Sequence, residues 1–347
     1  MDITNYFREA IRRQASDLHL ITGNPPTIRV SGDLQVLEPK KLSGDELEAA
    51  IFSLLEPKDL EAYRKTKELD VALDIAGGHF RVNLHQQEGA IGVAARVILS
   101  QVPSPSEIQL EESVAGLSRL NKGLILVTGP SGSGKSTTLA VLLNLINKER
   151  RAHIITIEDP IEYIFQENQS IIEQRELGRD TFSFGEALKR ALRQDPNVIM
   201  VGEMRDLETV SATLTAAETG HLVLSTLHTN AAAETIERIV DMFPSHQQKQ
   251  VLLQLASVLR AVICQHVLPR EGGGMVVARE VLINTPAIAN LIREDKIAHI
   301  PTAMQTGRSE GMVLMDESVK QLLEQGLISQ QTYQNRISDG KTLSTYY

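Results

Sequence analysis

The sequence predicts an α/β protein of two domains, the second built on a mostly parallel sheet. Three observations carry that expectation. A short apolar run at 124–127 leads into Gly129-Pro-Ser-Gly-Ser-Gly-Lys-Ser136 and then into a helical pattern. From about Ser113 onward, strand-like runs alternate with helix-like ones, the order that parallel sheets require. Before that point the pattern is different, with short strands and tight turns, and 347 residues suit two domains better than one.

Taking the chain in order, Ile3, Phe7, Ala10 and Ile11 form the apolar stripe of an opening helix. The stretch SDLHLITGNPPTIRVSGDLQVL reads as short strands broken at Gly23-Asn-Pro-Pro26 and Gly32-Asp33. Ser43 with Glu46 is expected to form a capping box at a helix running to Leu55, and Pro57 suits the first turn of the next helix. Strands are expected at 69–75, 79–85 and 90–98, with Gly77-Gly78 as a hairpin turn. These residues, 1–98, make up the first domain. The polar stretch 99–112, with Pro103 and Pro105, reads as a semi-rigid linker. The second domain, 113–347, has strands expected at 124–127, 153–157, 198–201 and 222–226, and helices at 135–148, 183–193 and 207–219. Helices are expected next at 231–241 and 245–260, then strands at 262–268 and 276–282 around Gly272-Gly-Gly274, then short helices from Pro286.

Composition narrows the function. With 35 basic and 44 acidic residues the net charge is -9, which argues against a mainly nucleic-acid-binding surface. Aromatic residues make up 4% with no Trp, which leaves little for base stacking. One cysteine, Cys264, allows neither an internal disulfide nor a Cys-rich zinc site, and its apolar setting suits a buried hydrophobe. No apolar run approaches the ~20 residues of a membrane span, and no signal-peptide pattern is present, so the expected setting is cytoplasmic.

The segment 129–136 fits the phosphate-binding pattern G-x-x-x-x-G-K-[ST]. Gly129, Gly132 and Gly134 let backbone N–H groups turn toward an anion. A helix N-terminus adds partial positive charge. Lys135 is a point charge for the outer phosphates, and the Ser136 hydroxyl suits Mg²⁺. Ligands of open parallel sheets bind beyond the carboxyl ends of the strands. Those ends carry Glu158-Asp159, Gly202-Glu203 and His228, while His221 opens its strand. Water activation needs a carboxylate, Mg²⁺ needs hard oxygen ligands, and an imidazole can contact the γ-phosphate. Where an Asp would ordinarily hold the metal, Gly202 stands, followed by Glu203. Either Glu203 takes that role or the metal is held by phosphates, Ser136 and water. Arg81 and Arg96 are either surface charges or cations presented to a neighbouring subunit's nucleotide.

The whole series resembles the secretion-type ATPases, and within them the type IV pilus retraction motors (PilT-like). The resemblance rests on SDLHL at 16–20, GPSGSGKSTT at 129–138, ITIEDPIEY at 155–163, VGEMRD at 201–206, TAAETGHLVLSTLHTN at 215–230 and TPAIANLIRED at 285–295. It implies a PAS-like α/β first domain and a RecA-like ATPase second domain. It implies Glu158 as general base and Glu203 at the Mg²⁺ and its water. The ATP-contacting positions it implies are Gly129, Ser131, Gly132, Ser133, Gly134, Lys135, Ser136 and Thr137, with His221, His228, Arg81 and Arg96. It further implies a hexameric ring that retracts pili by working on an inner-membrane platform protein, peripheral to that membrane and without stable nucleic-acid binding. An accessory retraction paralogue and a pilus-assembly or secretion ATPase are the nearest alternatives. A nucleic-acid motor and a nucleotide-gated regulator that does not turn over are those of other classes.

Overall fold

The computed structural model describes residues 2–30, 32–98 and 101–336. Residues 99–100 of the expected linker and 337–347 of the expected second domain lie outside the described residues. The chain divides into two compact units. Met1–Gln101 with the short segment Glu162–Ile164 forms one, and the chain from Val102 onward forms the other.

The first unit opens with helix α1 (Ile3–Arg12). Its sheet has six strands: β1 (Asp17–Ile21), β2 (Thr27–Val30), β3 (Asp33–Val36), β4 (Glu68–Ile75), β5 (Gly78–Gln87) and β6 (Ala90–Ile98). They run in the order β3-β2-β1-β6-β5-β4, every pair antiparallel. Helices α2 (Gly44–Phe52) and α3 (Pro57–Thr66) lie between β3 and β4 in the chain. Strand alternation sends Leu18, Leu20, Phe80, Val82, Leu84 and Val93 to one buried face. There Phe7 of α1 meets Phe80 edge to face at 4.8 Å; burying one such ring is worth roughly 2–3 kcal/mol.

Two local expectations are corrected. Ser43 stands at the N-cap of α2, but its side chain makes no capping bond, so the capping box does not form. The hairpin between β4 and β5 turns on Ala76-Gly77, one residue earlier than expected. Ile75 pairs with Gly78, and φ is 56° at Ala76 and 80° at Gly77. The twist of the strands favours two left-handed turn residues there, and pairing leaves Gly78 in the strand.

The second unit begins with α4 (Glu112–Ala115) and continues as β7 (Gly123–Thr128), α5 (Lys135–Glu149), β8 (His153–Glu158), β9 (Ile171–Glu176), α6 (Phe184–Ala191), β10 (Val198–Val201), α7 (Leu207–Glu218) and β11 (Leu222–Leu227). Helices α8 (Ala232–Asp241) and α9 (Ser245–Val258) follow, then β12 (Leu259–Pro269), β13 (Met275–Ile283), α10 (Pro286–Arg293), α11 (Ile300–Thr306) and α12 (Met315–Glu324). The strand order is β13-β12-β7-β11-β10-β8-β9, parallel throughout except for the β12–β13 pair. Alternate residues of β7 enter different cores, Leu124 and Leu126 on one face, Ile125 and Val127 on the other. Helices cover both faces, which is why these strands read as unbroken apolar runs.

The sequence pattern passes over β9. It is an edge strand of mixed polarity, IIEQRE, with no apolar run to reveal it. The linker expectation narrows as well. Residues 102–112 belong to the second unit. The Arg279 side chain, 1% exposed, donates to the carbonyls of Ile108 and Gln109 at 2.9 Å each and meets Glu111 at 3.4 Å. A cation buried this deeply needs such partners. It holds the later part of the expected linker to the sheet.

Candidate nucleotide site

The loop after β7 owes its shape to its glycines. Gly129 has φ 133°, and a Cβ there would stand 2.3 Å from the Gln265 carbonyl oxygen, so only glycine fits. Gly134, at φ 84°, precedes α5 and brings no capping side chain, leaving the first-turn N–H groups for an anion. Ser131 and Gly132 are exposed, Ser133 is buried, and Ser136 and Thr137 are half-buried on the first turn. Lys135 Nζ donates to the carbonyls of Gly129 at 2.8 Å and Pro130 at 3.1 Å, so the ammonium lies over the loop.

Register sets out the remaining groups. Leu227 pairs with Thr128, Val201 with Ser225, and Ile157 with Val201. His228, Glu203 and Glu158 therefore leave their strands at the same edge as the loop. From Lys135 the contacts run on: Nζ lies 3.5 Å from His228 Nδ1, His228 Nε2 lies 3.2 Å from Glu203 Oε1, and Arg205 Nε donates to Glu203 Oε2 at 2.7 Å. An ammonium can only donate, so the arrangement suits His228 protonated on Nε2, with Nδ1 accepting. The Glu203 carboxylate in turn pushes the Arg205 guanidinium above its ordinary range. Arg205 Nη1 also comes within 3.9 Å of Asp159.

Glu158 is farther from the loop. Its strand lies three spacings from β7, about 14 Å of backbone. It is buried, and its Oε1 accepts from Thr156 Oγ1 at 2.7 Å and Gln174 Nε2 at 3.2 Å. Gly202 brings the two carboxylate-bearing turns together. A Cβ at Gly202 would stand 3.3 Å from the Ile157 oxygen and 3.4 Å from Glu158 Cα.

One expectation about placement changes. His221 does not join the phosphate loop. It sits at the opposite end of β11, where its carbonyl accepts from Gly123 N at 2.9 Å and its Nδ1 donates to the Ala216 carbonyl at 2.9 Å. A parallel strand puts its two ends on opposite edges, so His221 and His228 cannot share one triphosphate on this chain. Arg81 and Arg96 belong to the first unit, where they are register partners on β5 and β6. Arg96 Nε bonds Asp17 at 3.0 Å, and Arg81 Nε lies 3.8 Å from Asp70. Burial raises the Asp17 carboxyl, but hydrogen bonds from Ser16 and Arg96 outweigh it and hold the group below its usual range. Arg205, Thr156 and Gln174 were missed by sequence reasoning. Arg205 and Thr156 lie within the quoted VGEMRD and ITIEDPIEY motifs; Gln174 carries no motif signal of its own.

The donor set fits magnesium, a hard cation usually held by one or two carboxylates together with substrate phosphates. Ser136 and Glu203 supply such oxygens. Among the described residues, no group of three or more His, Cys, Asp or Glu gathers to hold a metal, and no helix is long and apolar enough to cross a membrane.

A phosphate loop at the carboxyl edge of a parallel sheet, faced by acidic and imidazole side chains, defines a RecA-like P-loop ATPase domain. The chain belongs to the family described as "Type II/IV secretion system protein", which matches residues 1–345. It is 46% identical over 332 residues to the "Type IV pilus retractation ATPase PilT" of Pseudomonas aeruginosa, covering 95% of this chain and 96% of that one. It is 43% identical over 321 residues to a "Twitching motility protein" of Neisseria gonorrhoeae, covering 92% and 86%. A solved structure described as "Crystal Structure of the Pilus Retraction Motor PilT and Bound ADP" matches with a TM-score of 0.90 at 44% identity, over 96% of each chain.

Proposed function

We propose that this protein is an ATP-hydrolysing motor that drives type IV pilus retraction, acting as a homo-hexameric ring on an inner-membrane platform protein. It works in the cytoplasm, peripheral to the inner membrane. Residues 1–98 form its PAS-like domain and 113–347 its ATPase domain. The observation that carries this reading is the run of contacts from Lys135 through His228 to Glu203 beside the phosphate loop.

In this reading the loop residues 129–137 bind the β- and γ-phosphates, with Lys135 as their cation. Ser136 and Glu203 hold Mg²⁺, which when bound neutralises charge on the phosphates. Glu158 takes a proton from the attacking water. His228 contacts the γ-phosphate and passes its loss to Glu203 and Arg205. Arg81 and Arg96 serve a neighbouring subunit's nucleotide, as arginine fingers do in trans.

Deleting the gene and counting surface pili tests the direction of work. Over-piliated cells that no longer retract are expected. Bald cells would overturn the retraction reading in favour of assembly.

A further inference from the structure

We propose that Gln174 on β9, together with Thr156, is a positioning residue that sets the orientation of the Glu158 carboxylate for its work as general base. The proposal rests on the assignment of that role to Glu158.

The arrangement follows from strand register. Thr156 and Glu158 are two apart on β8 and so share a face. Gln174 is the register partner of Thr156, and Glu176 that of Glu158. Gln174 is thus directly across from Thr156 and diagonal to Glu158, within reach of a long side chain. Both donors land on one oxygen. Thr156 Oγ1 gives its hydrogen to Glu158 Oε1 at 2.7 Å, and Gln174 Nε2 does so at 3.2 Å.

The amide of Gln174 is itself held. Its Oε1 accepts from the backbone N–H of Phe165 at 3.1 Å. A backbone N–H can only donate, so the oxygen must face Phe165 and the NH₂ must face Glu158. One side chain therefore ties the strand end that carries the base to the chain that follows it. Because a carboxylate is planar, pinning Oε1 also sets the direction of Oε2. Glu158 itself is only 8% exposed, and a carboxylate so buried needs hydrogen-bond donors. β9 supplies one of them, which gives this polar edge strand a part in the chemistry.

A base must sit within about 3 Å of the proton it takes, and a shift of about 1 Å can cost up to ~10²-fold in rate. The test is steady-state ATP hydrolysis and nucleotide binding by the full-length oligomer carrying Gln174→Leu, Thr156→Val, Thr156→Ser or Glu158→Gln, and by the Gln174→Leu/Glu158→Gln double variant. Gln174→Leu is expected to lower kcat about tenfold or more, with KM for ATP and the Kd for ADP within about twofold of the parent. Thr156→Val should show the same split, and Thr156→Ser, which keeps the hydroxyl, should restore most of the rate. In the Glu158→Gln background Gln174→Leu should change kcat by less than about twofold, because the group it positions is gone.

An unchanged kcat in Gln174→Leu, or a loss that comes with an equally raised KM, overturns the proposal while leaving Glu158 as base. So does full additivity in the double variant. Should Gln174→Leu fail to fold, the Thr156 pair decides alone: equal rates for Val and Ser overturn it. Parental turnover in Glu158→Gln would instead overturn the assignment of the base.

Discussion

His221 and His228 flank the same strand and face different tasks. His221 precedes β11 and donates from Nδ1 to the Ala216 carbonyl, tying the end of α7 to the strand that follows. His228 follows β11, accepts on Nδ1 from Lys135 and meets Glu203 through Nε2. The two rings thus hold their protons on opposite nitrogens. The residue type is the same; the edge of the sheet decides the role. At the amino edge the free backbone groups are satisfied by local structure, while at the carboxyl edge the strands open into turns that leave charged side chains facing the phosphate loop.

This contrast can be broken by experiment. The largest effect is expected at Lys135. Lys135→Ala removes a cation from the loop and should weaken nucleotide binding by about tenfold to a hundredfold and abolish turnover. Calorimetric titration with ADP and an ATPase assay check both. His228→Ala comes next, with turnover falling at least ~10-fold, as expected when a group aimed at developing charge is lost. His221→Ala should be the mildest. Loss of its bond to Ala216 is expected to cost about 1 kcal/mol of stability, seen in thermal unfolding, with turnover within about twofold. Equal losses of turnover at the two histidines would show that the edge of the sheet does not decide the role.

Much of the site could be seen in the sequence because its parts announce themselves locally. The glycine spacing of 129–134 states a backbone shape, and apolar runs ending in Glu158, Glu203 and His228 state which side chains lie just past a strand. What remained hidden depended on register between distant segments. Gln174 sits on an edge strand whose mixed polarity resembles a loop, and its relation to Glu158 exists only once β9 pairs with β8. Arg279 reads as a charge in a strand, yet it is buried against the backbone carbonyls of Ile108 and Gln109, some 170 residues away. His221 shows the opposite error. Its motif is plain and so is its place at the start of a strand, yet the resemblance set it at the nucleotide, which lies at the strand's other end. Ser43 is a simpler case: its type and position at the helix start are right, but its side chain makes no capping bond.

The account turns on acidic groups from separate strands serving one triphosphate, and Glu158 is the one whose backbone lies farthest from the loop. The most direct check is the turnover number of Glu158→Gln, measured beside its affinity for ATP. A fall of at least ~10²-fold in kcat with affinity within about threefold of the parent is the predicted result. Turnover close to the parental value would contradict it.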